Sequence, residues 1–116
     1  MRYIFMILLC FTLAGCLTSE TAPRETEPPP SGDLLRAGIL RGIAESHFEA
    51  PIEATDPIMP LASSSFSWMV CIRSAKSEQS RRITYSVFFK KGAYADARYS
   101  VILERCGARE YHPNVS

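Results

Sequence analysis

Phe66-Ser67-Trp68-Met69-Val70-Cys71-Ile72-Arg73 alternates two kinds of side chain. Phe66, Trp68, Val70 and Ile72 share one face, and Ser67, Met69, Cys71 and Arg73 share the other. A period of two is the signature of a β-strand with one face on a core. Residues 82–90 repeat the pattern, with Ile83, Tyr85, Val87 and Phe89 facing inward. Residues 74–81 between them are polar and read as a turn. Lys91-Gly92 then allows a tight hairpin, because glycine tolerates positive φ. A third strand is expected over residues 93–98 and a last edge strand over residues 110–113. Val101, Ile102 and Leu103 are consecutive and Gly107 is a stop signal, so residues 100–105 are expected to form a short helix.

Upstream, residues 33–47 read as one helix. Leu35, Ile39 and Ile43 recur every four residues, and Leu40 widens the stripe. Ser31 or Asp33 can cap its start, and His47 suits the negative end of the helix dipole. Gly38 and Gly42 each cost up to about 1 kcal/mol inside a helix. They are explained by close approach to the sheet. Residues 49–65 carry Pro51, Pro57 and Pro60 and are expected to be irregular, draped over the core by Ile52, Ile58, Met59 and Leu61. Residues 17–32, with four prolines and almost no aliphatic side chains, read as an extended tether.

The first residues decide the address. Met1-Arg2 is followed by an apolar run from residue 3 to residue 13, too short for a bilayer span of about 20 residues. The run closes on Leu13-Ala14-Gly15-Cys16, which resembles the lipobox of bacterial lipoprotein precursors. The resemblance implies cleavage before Cys16 and a lipid on its sulfur. More than one acyl chain then anchors the protein stably to a membrane. Leu17, rather than Asp, follows the modified cysteine, and by the enterobacterial sorting rule this favours the outer membrane, facing the periplasm, over the inner membrane. The expected divisions are residues 1–15 as signal peptide, 16–32 as lipidated tether and 33–116 as a small domain. On this resemblance Cys10 leaves with the signal and Cys16 takes the lipid. Cys71 and Cys106 remain, in a compartment that permits disulfides. A bond between them closes a 36-residue loop, worth about 4 kcal/mol. The alternative is two free thiols or a redox pair, but neither cysteine lies in a C-x-x-C motif.

The expected product is an α+β domain: one N-terminal helix packed on a three- or four-stranded antiparallel sheet, with a short C-terminal helix, pinned by a disulfide. In layout alone it is similar to small envelope lipoproteins such as the small component of the β-barrel assembly machinery.

Charge is unevenly spread. Residues 17–64 hold three arginines against eight acids, a balance of −5, whereas residues 65–116 hold nine bases against four acids, a balance of +5. In an antiparallel meander Arg73, Lys76, Arg81 and Arg82 gather at one end of the sheet, and Arg98 can join them. Forked arginines there suit phosphate or carboxylate groups of an envelope protein, an anionic lipid or a cell-wall polymer, while the same charges on a solvated face need no ligand. Nucleic acid does not suit the address. Phe88 falls on the outer face and could form an exposed patch with Met69.

Catalytic parts are few. His47 and His112 are the only histidines, and a metal site would need both with Glu45 or Glu110. Ser63-Ser64-Ser65 lacks the G-x-S-x-G elbow, and no phosphate-cradling glycine loop occurs. No metal or cofactor is expected. The leading expectation is a non-catalytic binding or assembly-accessory module. The alternatives are a periplasmic inhibitor of a cell-wall hydrolase, acting through residues 74–81, and a small envelope hydrolase.

Overall fold

The structure is a computed structural model that describes residues 27–76 and 83–113. The segment expected to be a signal peptide, Cys16, Arg81 and Arg82 lie outside the described residues. Helix α1 spans Gly32–Ser46. The strands are β1 (Ile52–Ala54), β2 (Trp68–Ser74), β3 (Tyr85–Lys90), β4 (Ala93–Tyr99) and β5 (His112–Pro113). They form one antiparallel sheet in the order β4-β3-β2-β1-β5. The fold is therefore the expected α+β layout with five strands instead of three or four.

The added strand is β1, inside the segment expected to be irregular. Pro51 and Pro57 bracket it rather than interrupt it. Ile52 and Ala54 point to the core, and Glu53 pairs across to Arg73. Three residues are too few to show a period of two in sequence. Beyond β1 the edge of β2 is still paired. Thr55 donates its N–H to the Cys71 carbonyl at 2.9 Å and accepts the Cys71 N–H on its hydroxyl at 3.0 Å. Ile58 and Met69 then exchange two backbone bonds of 2.8 Å. Pro113 sits in the edge strand β5, where its missing N–H costs no ladder bond.

α1 covers one face of the sheet. Val70, Ile72, Tyr85, Val87 and Phe89 meet Ile39, Ile52 and Ala54 there, with Leu35, Ile43, Phe48 and Trp68 around them. The buried line of the helix runs through Gly38, Ile39, Gly42 and Ser46, so Leu40 falls outside it and is exposed. A methyl on Gly38 would strike the Phe89 ring, and one on Gly42 would strike Val87. Ser31 is the residue before the helix, and Asp33 lies in its first turn. At the other end His47 adopts a left-handed conformation, φ 59°, and its backbone N–H returns to the Ile43 carbonyl. His47 thus ends the helix through its backbone.

The second face is also covered, which corrects two expectations. Phe88 and Met69 are each 1% exposed, not a surface patch. They pack with Cys71, Cys106, Ile58, Phe66 and Tyr111. Phe66 lies before β2 and stacks on Phe88 at 4.7 Å, so it serves this face and not the one shared by Trp68 and Val70. The cover is chain that folds back from both sides of the strand pair. The Cys71–Cys106 disulfide, Cα–Cα 5.7 Å, fastens its C-terminal part. Ile83, expected inside, precedes β3 and is 58% exposed. No helix among the described residues is long and apolar enough to cross a membrane.

Candidate binding surface

After β4 the chain makes two single-turn 3-10 helices, Ile102–Glu104 and Cys106–Ala108. This is the short C-terminal helix anticipated over residues 100–105, tighter and in two pieces. Its alternation of inward and outward residues is set by one buried carboxylate. Glu104 is 4% exposed. Its Oε1 accepts from the Ser86 hydroxyl at 3.0 Å, from Arg98 Nη1 at 3.0 Å and from the Val101 N–H at 2.9 Å. Its Oε2 accepts from Arg98 Nη2 at 2.9 Å. The forked guanidinium and the surrounding donors offset the desolvation of the charge. The Ser86 hydroxyl has one proton and gives it to Glu104, so the 2.8 Å contact with Ser100 is donated by Ser100.

This clamp holds the turn by its root. Glu104 N–H bonds to the Val101 carbonyl and Arg105 N–H to the Ile102 carbonyl, both at 3.0 Å. Cys106 is tied to β2 by the disulfide. The side chains between these anchors point outward: Val101 is 46% exposed, Leu103 71% and Ile102 95%. Ser100 N–H bonds to the Thr84 carbonyl at 3.1 Å, which brings exposed Ile83 and Tyr99 to the same end of the sheet. The result is an anchored apolar tip beyond the ends of β3 and β4.

Three of the basic residues expected at this end are described. Arg73 is engaged: its Nε donates to Glu53 at 3.2 Å and its guanidinium lies 3.7 Å from the Tyr111 ring centre. Lys76 is exposed in the turn after β2. Arg98 is committed to Glu104 and lies over the Phe88 ring at 4.7 Å. Arg105, not singled out from sequence, is exposed at the foot of the tip with φ 55°.

Other sites carry less chemistry. A cleft of about 290 Å³ is lined by Ser63, Ser64, Ser65, Phe66, Arg98 and Glu104. Its carboxylate already accepts four hydrogen bonds, which leaves it a poor general base for those serines. His112 Nε2 lies 3.4 Å from Asp56 Oδ2, while His47 ends α1. Among the described residues no three His, Cys, Asp or Glu side chains gather in a metal-binding group. Burial raises the Tyr85 phenol above its ordinary value, as suits a core ring.

A second groove, about 470 Å³, lies between Glu27-Pro28-Pro29-Pro30-Ser31, Leu34 and Lys91-Gly92. The end of the proline-rich segment forms one wall of it and is tied to the sheet. Pro30 is buried, the Glu27 carbonyl accepts from Trp68 Nε1 at 3.0 Å, and Glu27 Oε2 accepts from the Lys91 N–H at 3.0 Å. Hydrogen bonds from the Ser67 hydroxyl and the Lys91 amide hold the Glu27 carboxyl below its ordinary value.

No protein-family model, curated protein or solved structure matches this chain.

Proposed function

We propose that the protein is a lipid-anchored component of the bacterial envelope, on the outer membrane facing the periplasm, whose folded domain is a non-catalytic binding or assembly-accessory module. The address rests on Leu13-Ala14-Gly15-Cys16 after a short apolar run. The binding role rests on one observation: Val101, Ile102 and Leu103 are presented to solvent by a turn whose root is locked through Glu104 and Cys106. A side chain as large as Ile102 left almost wholly in water gains about 1.5–3 kcal/mol when it is buried. A mobile loop could fold such residues inward, but this turn is held with them outward.

The test is site-specific photo-cross-linking in the full-length protein in its own envelope. A cross-linker at position 102 is expected to form adducts with an envelope component. The same group at Arg36, on the exposed side of α1, is expected to form none. Equal silence at both positions overturns the binding role.

The anchoring of so exposed a side chain also favours a second reading, an inhibitor of a cell-wall hydrolase that inserts Ile102 into an enzyme cleft. In that case the adduct is a hydrolase, and Ile102→Asp releases its activity.

A further inference from the structure

We infer that the tip is a bilayer-docking surface, with Ile102 and Leu103 entering the acyl region of an anionic phospholipid leaflet and Arg105 and Lys76 meeting its phosphates. The inference deepens the binding role and takes the lipid anchor on Cys16 as its premise.

Three observations select a bilayer over a protein partner. First, the tip is aliphatic and almost fully exposed at Ile102, and part of its backbone is bonded from within. The Val101 N–H is taken by Glu104, the Val101 carbonyl by the Glu104 N–H and the Ile102 carbonyl by the Arg105 N–H. Lipid offers no partners to backbone groups, so the side chains of Ile102 and Leu103 enter the acyl region while the turn's backbone stays at the level of the headgroups and their water. A protein partner would instead have to supply a pocket for Ile102. Second, the tip's own carboxylate is hidden. Glu104 is buried and matched by Arg98, so the charge shown beside Leu103 is Arg105. Lys76 lies at the same end of the sheet, as does Glu49, which accepts from Ser74 through its carbonyl at 2.6 Å. Tyr99, the last residue of β4 and 62% exposed, adds an aromatic side chain at the same end of the sheet, of the kind favoured at a membrane interface.

Third, the chain has the reach. Glu27 is held at the Trp68 and Lys91 end of the sheet, opposite the tip. The six residues of β3 separate the two ends by about 20 Å. Eleven residues lead from Cys16 to Glu27, up to about 36 Å when extended. A domain anchored through Cys16 can therefore lay its tip on the leaflet that holds the anchor.

The experiment uses the processed full-length protein in vesicles of phosphatidylethanolamine with phosphatidylglycerol, and of phosphatidylcholine alone. An Ile102→Trp reporter, harmless to folding at so exposed a position, is compared with the parent protein. On anionic vesicles its emission is expected to shift to the blue and to be quenched by brominated acyl chains. Lys76→Ala and Arg105→Ala are each expected to weaken the docked population about fivefold on anionic vesicles and to change little on phosphatidylcholine. Mass spectrometry of Cys16 separates the two premises. A lipidated Cys16 with a reporter that remains water-exposed overturns the docking surface and leaves the anchor standing. An unmodified Cys16 overturns the anchor. Docking is then read by sedimentation, where retention abolished by Ile102→Asp upholds it and retention indifferent to Ile102→Asp overturns it. An adduct from position 102 to a protein and none to lipid also overturns it.

Discussion

A methyl group at Gly42 would meet Val87, and one at Gly38 would meet the Phe89 ring, both fully buried neighbours. Gly42→Ala is therefore expected to destabilise the fold by about 1–2 kcal/mol, the overpacking loss reduced by the gain in helix propensity. Thermal unfolding checks it, and a rise in Tm would mean that α1 stands further from the sheet. These glycines were legible in the sequence because glycine at two helical positions one turn apart needs a reason. Glu104 was not. Within Val101-Ile102-Leu103-Glu104-Arg105 it looks like an ordinary solvated acid, and only the fold sets Arg98 and Ser86 around it. Arg98→Ala leaves that carboxylate buried without its fork and is expected to cost about 3 kcal/mol. A double-mutant cycle with Glu104→Gln should show strong coupling, since the two act as a pair. Additive effects would show that the clamp contributes little.

At the scale of elements, the docked end of the tether predicts a response to acid. The Glu27 carboxyl binds its proton less readily when folded than at its ordinary value of 4.5. Its contribution to docking is thus present above that value and is lost as pH falls through the lowered one. Trp68 reports the change because its Nε1 donates to the Glu27 carbonyl. Its emission is expected to shift only as the pH falls below 4.5, the ordinary value, and Glu27→Gln should show the released signal already at neutral pH. A Glu27→Gln protein with the parent's emission and acid response would sink this account. The disulfide joins β2 to the second 3-10 turn across 35 residues. Reduction is expected to cost about 4 kcal/mol, a fall in Tm on the order of 20 °C for a domain this small. β1 and the docked tether were not legible for opposite reasons. One is too short to show a period, and the other has a composition that reads as unfolded.

For the whole molecule, the sequence reading makes Cys16 the point of attachment. Cys16→Ser in the full precursor is expected to block fatty-acid labelling and processing together, which gel mobility and metabolic labelling check. Normal cleavage of that variant would remove the anchor. The charge asymmetry reaches the folded state in a changed form. Of the basic residues in the positive half, Arg73 and Arg98 are bound to Glu53 and Glu104, and Lys76 and Arg105 are exposed. Lys90, Lys91 and Arg109 are exposed as well, so the positive charge of this half is shared between paired and exposed side chains.

What the sequence determined by itself is the set of features carried by local period and spacing. The alternation in residues 68–73 and 85–90 specified two paired strands, Lys91-Gly92 the hairpin, the stripe through Ile39 the helix, and the two cysteines the bond that joins them. Tertiary structure decided which surfaces remain in water. The same three-residue aliphatic run could have been core, and Phe88 with Met69 could have been surface. The reverse holds because covering a sheet face is a competition between distant segments. Phe66, Ile58, Tyr111 and Cys106 close over Phe88, while Glu104 spends the inward position of its turn on Arg98 and leaves Ile102 outside. Such competition depends on contacts between residues far apart in the chain, and no period along the chain records it.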